Sequence, residues 1–211
     1  MRKPNVIVFL TDQQRWDTTG NPLDVTPTFD RMARYGTHAE VALTPQPVCA
    51  PARAALQTGR YPTTTGVYRN GIPLPPQERT LARCFAEAGY ATGYLGKWHL
   101  GTQDPVPQDE RGGYREWLGA NLLEFTSDAY RTVAYDGDGE PVALPGYRSD
   151  AFVDAAIRFA ADHHDEPFFL FLSLIEPHHQ NEVDDYPAPD GYEERYQGRW
   201  MPPDLAALGG T

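Results

Sequence analysis

Two short, uninterrupted apolar runs constrain the fold of this 211-residue chain more than any other feature. NVIVFL, at residues 5–10, is rich in β-branched residues, and EPFFLFLSLIEP contains a second run at 168–174. Such runs are typical of strands buried on both faces of a parallel sheet that helices cover. GYATGYLG, at 89–96, predicts a third strand. We therefore expect an α/β fold with a mostly parallel sheet sandwiched by helices.

Helical patterns separate these strands. Thr26 at the N-cap, Pro27 in the first turn and Gly36 at the end are typical of a capped helix. The predicted helices cover residues 26–36, 53–59, 80–89 and 149–164. Strands that alternate with helices indicate βαβ units, which build parallel sheets with helices on both faces.

Two segments depart from this alternation. RTVAYDGDGEPVAL predicts a hairpin around Asp-Gly turns, and we expect the surrounding stretch, 102–148, to be a surface excursion near the rim of the sheet. The tail from residue 184 to 211 is rich in proline, aromatic residues and charge. We expect it to be a connection rather than a folded end.

Charge and composition exclude several classes of partner and location. The formal net charge of −11 argues against nucleic acid or an anionic membrane surface as a partner. No apolar segment is long enough to span a bilayer, and the N-terminal run is too short for a signal peptide, so we expect a cytoplasmic protein. Two cysteines, Cys49 and Cys84, do not make a secreted disulfide framework.

Polar side chains follow each of the three predicted strands. Asp12 and Gln13 follow the first strand, Lys97 and His99 follow the second, and His178 follows the third. Alone, each is typical of a turn or a solvated loop. In open parallel sheets, however, ligands bind outside the carboxyl ends of the strands. Three unrelated loops with polar residues at one edge therefore predict a functional site there.

A cysteine stands at the start of a predicted helix in PVCAPARAALQTGR, residues 47–60. Pro51 is tolerated only in the first turn of a helix, so the helix must begin near Cys49 or Ala50. Arg53 can share a face with Cys49. We expect free amides at the helix tip and the guanidinium to form an anion pocket beside residue 49.

A thiolate at residue 49 would have a lowered pKa and could itself be a nucleophile. Only three residues separate Cys49 from Arg53, whereas the loop of the thiol phosphatases has five. This spacing argues against that family.

The segment CAPAR, at 49–53, contains C-x-P-x-R, the pattern by which cysteine is oxidised to formylglycine in type I sulfatases. NVIVFLTDQQRWD is similar to the opening metal-binding strand of that family, GYATGYLGKWHLG to its second signature, and PFFLFLSLIEPHHQ to the strand and Pro-His loop that follow. With TGRYP and GKWHLG in the same order, the chain resembles type I sulfatases of the alkaline phosphatase superfamily over essentially its whole length. Residues 1–211 would form the N-terminal part of one catalytic domain.

The resemblance implies a mechanism with formylglycine at Cys49. The aldehyde hydrates to a geminal diol, one hydroxyl attacks sulfur and releases the alcohol, and the second hydroxyl drives elimination of sulfate. The implied cofactor is a divalent metal, calcium in most members, with manganese or magnesium as alternatives. The implied partners are a small anionic sulfate ester and a formylglycine-generating enzyme.

The resemblance also implies site residues. Asp12, Gln13 and Cys49 would bind the metal. Arg53 would hold the hydrated aldehyde, and Lys97 would clamp sulfate oxygens. His99 is the candidate base for elimination and His178 a further sulfate donor, although this division of labour stays open. Arg60 would be a structural ion-pair partner.

Three departures from the family pattern limit the prediction. Ala52 replaces a common serine, and Gln13 stands where many members have a second aspartate. Nothing here matches the second metal-binding pair and further lysine of the family, so we interpret the chain as an N-terminal fragment. Alone it would lack half its metal shell, be inactive, and leave sheet surface uncovered, which predicts weak solubility.

Two alternatives to a sulfatase remain. One is a phosphonate or phosphate ester hydrolase of the same superfamily, because sulfate and phosphate esters share tetrahedral geometry. The other is an inactive relative that only binds anions, in which Cys49 stays a thiol and no metal binds.

Overall fold

A six-stranded sheet forms the centre of the computed structural model, which describes residues 3–21, 23, 25–181 and 183–207. The strand order is β1-β6-β2-β3-β4-β5, in which β1, β6, β2 and β3 are parallel and β4 and β5 are antiparallel. The strands are β1 (Val6–Leu10), β2 (Ala91–Lys97), β3 (Glu116–Ala120), β4 (Val133–Tyr135), β5 (Pro141–Ala143) and β6 (Phe168–Ser173). The mostly parallel α/β sheet expected from the sequence is confirmed.

The helices are α1 (Pro27–Tyr35), α2 (Cys49–Thr58), α3 (Pro62–Thr65), α4 (Leu81–Glu87), α5 (Leu123–Thr126), α6 (Arg148–Asp162), α7 (Tyr192–Tyr196) and α8 (Pro203–Ala207). Four of the helices, α1, α2, α4 and α6, lie close to the predicted ones, whereas the short helices α3, α5, α7 and α8 were not predicted. Helix α2 begins at Cys49 because Pro51 fits only the first turn. It ends at Gly59, whose φ of 67° suits glycine in the left-handed region. The Thr80 side chain caps α4 by accepting a hydrogen bond from the Arg83 N–H.

Helices cover both faces of the sheet. Phe169 and Phe171 of β6 pack in one cluster with residues of α2 and α4, and the rings of Phe85 and Phe169 are stacked at 4.1 Å. On the other face, the alternate residues of β6 pack against Phe152 and Phe159 of α6. This two-residue alternation is what a strand buried on both faces requires. The predicted sandwich is therefore present around β6 and β2.

Strand β3 corrects the interpretation of 102–148 as a surface excursion. The segment Glu116–Ala120 pairs in parallel with β2, and Trp117 and Leu123 are buried. The predicted hairpin exists as β4 and β5, with Val133 opposite Ala143, and it extends the same sheet. Most of this segment therefore belongs to the core architecture, and only the hairpin lies at the rim.

Strand β1 is less buried than its apolar sequence predicts. Ile7 and Phe9 are 55% and 44% exposed, while the alternate side chains are half-buried. Among the described strands β1 pairs only with β6, so it forms an edge of the sheet. The prediction that β1 is buried on both faces was therefore wrong.

The C-terminal tail carries little regular structure. The tail predicted as a connection contains the short helices α7 and α8, and Arg15 forms a salt bridge with Asp204 in α8. The two N-terminal residues of the basic start and residues 208–211 of the tail lie outside the described residues. No helix in the described part of the chain has the length and hydrophobicity of a membrane span.

Candidate active site

The carboxyl ends of three parallel strands bring polar side chains together. Asp12 follows β1, Lys97 is the last residue of β2, and Ser173 is the last residue of β6. Helix α2 places Cys49 and Arg53 over the same edge, where Lys97 Nζ lies 4.0 Å from Cys49 Sγ. Side chains from four separate elements thus meet where an open parallel sheet binds its ligands.

Four charged side chains are linked at this edge by three ion pairs, and we call them the charged cluster: Arg53, Asp12, Lys97 and Glu124. Asp12 Oδ2 accepts hydrogen bonds from Arg53 Nη2 at 3.0 Å and from Lys97 Nζ at 2.9 Å. Lys97 Nζ also lies 2.8 Å from Glu124 Oε1. Two positive charges therefore balance two negative charges, which is the condition for burying them together.

Burial and the two cations act in opposite directions on Asp12. Burial alone would raise the pKa of its carboxyl group, but the charges and hydrogen bonds of Arg53 and Lys97 outweigh it and lower the pKa to about 2. Asp12 is therefore ionised at neutral pH, which a metal-binding carboxylate must be.

The guanidinium of Arg53 donates hydrogen bonds to other groups of the protein. Its Nη1 donates to the Lys97 backbone carbonyl and to Ser173 Oγ, both at 2.7 Å, and its Nη2 donates to Asp12. The predicted cradle of free amides is also absent over residues 50–52: the Ala50 N–H donates to Asn70 Oδ1, Ala52 N–H to the Val48 carbonyl, and Pro51 has none. Positive charge beside residue 49 therefore comes from buried side chains and not from the helix tip.

Cys49 is not an activated thiol. Burial raises the pKa of its thiol, and the opposing charge of Lys97 does not overcome this. The expectation of a lowered pKa at the tip of α2 was therefore wrong. The side chain still lies beside the charged cluster, so the surroundings of residue 49 are polar although its thiol is protonated.

His99 lies next to Glu124. Its backbone is in the left-handed conformation, with a φ of 58°. Its Nδ1 is 3.5 Å from Glu124 Oε1, and its side chain is only 10% exposed. Burial and the positive charges of Lys97 and Arg53 lower the pKa of His99 to about 4, in spite of the opposing effect of Glu124. The imidazole is therefore neutral at pH 7 and able to accept a proton.

Three potential metal ligands come together around residue 49. Ligand atoms of Asp12, Cys49 and His178 all lie within 4.8 Å of one another. Gln13 Oε1 accepts a hydrogen bond from the His179 N–H at 3.2 Å, which holds its carbonyl near this group. Thiolate and imidazole favour zinc or copper, whereas calcium and magnesium prefer oxygen ligands. The group fits a hard cation only when an oxygen replaces the sulfur at residue 49.

The sequence analysis missed Glu124 and Ser173. Glu124 follows β3 by four residues, so the strand-end rule that found Lys97 would have found it had β3 been predicted. Ser173 lies inside an apolar run, which hid its contact with Arg53. Glu176 follows β6 as well, but it forms a salt bridge with Arg148 at 2.7 Å.

Arg60 lies outside this edge and has a structural partner. Its Nη1 is 2.8 Å from Glu78 Oε2, as expected of an ion-pair residue in TGRYP.

A cavity of about 1170 Å³ opens over the candidate site. Asp12, Gln13, Cys49 and His178 line it, together with the exposed ring of Trp16. The volume is larger than a sulfate group requires, so the cavity can also accept the alcohol part of an ester.

Comparison with known proteins identifies the family. The sulfatase family model matches residues 4–202. The ulvan-active sulfatase of Formosa agariphila is 35% identical over 205 residues, which cover 92% of this chain and 38% of the relative. The crystal structure of yidJ from Bacteroides fragilis has a TM-score of 0.81 at 25% identity, covering 97% of this chain and 49% of that one.

A third comparison shows the fold alone. The phosphonate monoester hydrolase of Agrobacterium radiobacter has a TM-score of 0.68 at 22% identity, covering 95% of this chain and 45% of that one. In each of the three comparisons the chain spans half or less of the relative's length. From the family match and the identity to a named sulfatase, the chain belongs to the sulfatase family, the type I sulfatases of the alkaline phosphatase superfamily.

Proposed function

We propose that this protein hydrolyses sulfate esters with a formylglycine made from Cys49. The observation that carries the proposal is the position of Cys49, whose Sγ lies 4.0 Å from Lys97 Nζ and close to Asp12 and His178. The thiol there has a raised pKa and is a poor nucleophile. Charged and metal-binding side chains therefore surround a thiol that is itself unreactive. This arrangement is expected if the thiol is converted to another group before catalysis.

Conversion of Cys49 to an aldehyde supplies two hydroxyl groups after hydration. One hydroxyl attacks the sulfur of the ester, the bond from sulfur to the alcohol oxygen breaks, and the alcohol leaves with a proton. The remaining hydroxyl then loses its proton, the aldehyde re-forms, and sulfate leaves. Water restores the diol, so each cycle consumes one ester and one water molecule.

The side chains around residue 49 have separable roles in this cycle. Lys97 places a positive charge beside the attacking oxygen and the developing negative charge on the sulfate. Arg53 fixes the Asp12 carboxylate through a hydrogen bond of 3.0 Å. His99, neutral because of its low pKa, is the base that removes the proton during elimination. His178 lines the cavity and is a further contact for the sulfate group.

Asp12, Gln13 and the oxygen of modified residue 49 would hold a divalent cation, calcium by preference and magnesium or manganese as alternatives. When bound, such a cation lowers the pKa of a contacting hydroxyl and neutralises charge. Calcium takes about six to eight oxygen ligands, and these three residues provide only part of that number. Further ligands must come from solvent, substrate or other polypeptide.

The decisive experiment is mass spectrometry of the peptide containing residue 49 after co-expression with a formylglycine-generating enzyme. We expect the mass decrease produced when an aldehyde replaces the CH₂SH group, and none in the Cys49→Ala variant. An unmodified thiol would remove the main support for the hydrolase and favour an inactive anion-binding relative.

Turnover then separates the two hydrolase alternatives. We expect the modified protein to cleave an aryl sulfate faster than an aryl phosphodiester, with loss of activity on chelation of the metal. The reverse preference would support the phosphonate or phosphate ester hydrolase, because Gln13 in place of an aspartate is compatible with either. Modification of residue 49 without turnover of either ester would contradict the proposed hydrolysis.

A further inference from the structure

The carboxylate of Glu124 stands between two residues of the candidate site. Its Oε1 lies 2.8 Å from Lys97 Nζ and 3.5 Å from His99 Nδ1. Its side chain is 2% exposed and that of Lys97 is fully buried. Glu124 comes from the short helix α5 after β3, whereas Lys97 and His99 come from the end of β2. Glu124 therefore connects the segment after β3 with the segment at the end of β2.

Two neighbouring polar atoms in this group lack hydrogen bonds. Within the residues that the structure describes, neither His99 Nδ1 nor Glu124 Oε2 has a hydrogen-bond partner, and both atoms are buried. Buried polar atoms without partners are rare and costly in folded proteins. Here a carboxylate that only accepts faces a ring nitrogen that can donate, so a small side-chain rotation would satisfy both.

The protonation states allow only one tautomer to make this bond. A neutral imidazole carries one N–H, on Nδ1 or on Nε2. If Nε2 carried the proton, the lone pair of Nδ1 would face the negative charge of Glu124. If Nδ1 carries it, the N–H points to the carboxylate and Nε2 is left as an acceptor.

We infer that Glu124 is a positioning residue that fixes His99 in the Nδ1–H tautomer while it holds the Lys97 ammonium. This inference rests on the proposed function, in which His99 accepts a proton; in the Nδ1–H tautomer only Nε2 can accept it. Glu124 does not touch the ester. It acts through His99 by keeping Nε2 unprotonated, and through Lys97 by fixing the ammonium beside residue 49.

The variant Glu124→Gln tests the inference with little change in shape. Lys97 still needs an acceptor, so the amide oxygen takes the place of Oε1 beside Lys97. The amide N–H₂ then takes the place of Oε2, the atom that the side-chain rotation would bring to His99 Nδ1. Nδ1 must then accept, which forces the proton onto Nε2. The equivalent exchange of aspartate for asparagine in the serine-protease triad leaves the geometry intact and lowers kcat by about 10⁴-fold because the tautomer is wrong.

The first measurement is ¹⁵N NMR of protein labelled at histidine, with His99 identified from the spectrum of His99→Gln. We expect the Nδ1–H tautomer of His99 at pH 7 in the unsubstituted chain and the Nε2–H tautomer in Glu124→Gln. The matched control is Glu78→Gln, because Glu78 is also buried and also holds a cation, Arg60, outside the site. The control should leave the His99 signals unchanged.

The second measurement is steady-state kinetics of the modified protein with an aryl sulfate. We expect Glu124→Gln to lower kcat on the order of 10²- to 10⁴-fold, with KM changed less than about threefold, because elimination and not binding is affected. Glu78→Gln should change neither constant.

The NMR outcome decides the inference independently of activity. His99 in the Nε2–H form in the unsubstituted chain, or an unchanged tautomer in Glu124→Gln, would overturn it. Equal changes in the control would also overturn it, because the effect would then be a general response of the fold. Absence of sulfate-ester turnover in every chain would contradict the proposed function and leave the NMR result standing.

Discussion

Replacement of Lys97 by methionine should destabilise the protein strongly, although the two side chains are similar in length. Lys97 is fully buried, and its Nζ lies 2.9 Å from Asp12 Oδ2 and 2.8 Å from Glu124 Oε1. Arg53 remains to pair with Asp12 in the variant, but no cation remains to pair with Glu124. The charged cluster changes from a net charge of zero to −1.

The size of the effect follows from that unpaired carboxylate. Removing one partner of a buried ion pair costs about 3–5 kcal/mol of the free energy of unfolding. The double variant Lys97→Met/Glu124→Gln restores neutrality, so we expect it to be at least about 1 kcal/mol more stable than Lys97→Met alone. Lost packing is equal in the two chains, so the difference reports the charge.

Urea unfolding at pH 7, followed by tryptophan fluorescence, measures both quantities. With a slope of about 2 kcal/mol/M, the midpoint of Lys97→Met should fall by roughly 1.5–2.5 M. A loss of less than about 1 kcal/mol, or a double variant less stable than Lys97→Met, would refute the assignment of Lys97 as the charge that balances Glu124.

Three further predictions concern other groups. Because the pKa of Asp12 is lowered from 3.8 to about 2, its contribution of about 2 kcal/mol is present above pH 4 and lost as pH falls towards 2; acid titration of Asp12→Asn should lack this loss. Burial alone would lower the pKa of His163, but hydrogen bonds to two glutamates raise it. Its stabilisation is therefore present below about pH 6.5 and lost as pH rises through the raised pKa, and urea midpoints of His163→Gln should not show that step. Trp16 lines the cavity and is 83% exposed, so Trp16→Ala should raise KM for a sulfate ester with a bulky alcohol and leave KM for a small aryl sulfate unchanged. Equal KM effects on both esters would contradict that role.

Local patterns were sufficient to predict β6, β2 and the start of α2. The apolar run of β6 is longer than a loop can tolerate, and Pro51 is tolerated only in the first turn of a helix. Strand β3 was missed because EWLGA is short, begins with an exposed glutamate and contains a glycine. Its burial depends on neighbours distant in sequence, which no local pattern reveals.

The candidate site was predictable in membership but not in its hydrogen bonding. Strand-end positions place Asp12 and Lys97 at the same edge of the sheet. The spacing of Arg53 from Cys49 predicted a guanidinium turned towards an anion, whereas the structure directs it to Asp12, Ser173 and a backbone carbonyl. The tertiary structure decides which of several possible partners a long side chain contacts. Helical spacing alone therefore cannot predict those contacts.

The exposed side of β1 has a practical consequence for all of these experiments. A strand with one free edge and outward-facing Ile7 and Phe9 is a template on which another copy of the chain can add in register. Such growth rises steeply with protein concentration and during refolding, when other strands are also unpaired. Unfolding curves should therefore be recorded at several dilutions, and only midpoints that agree between them report the stability of a single molecule.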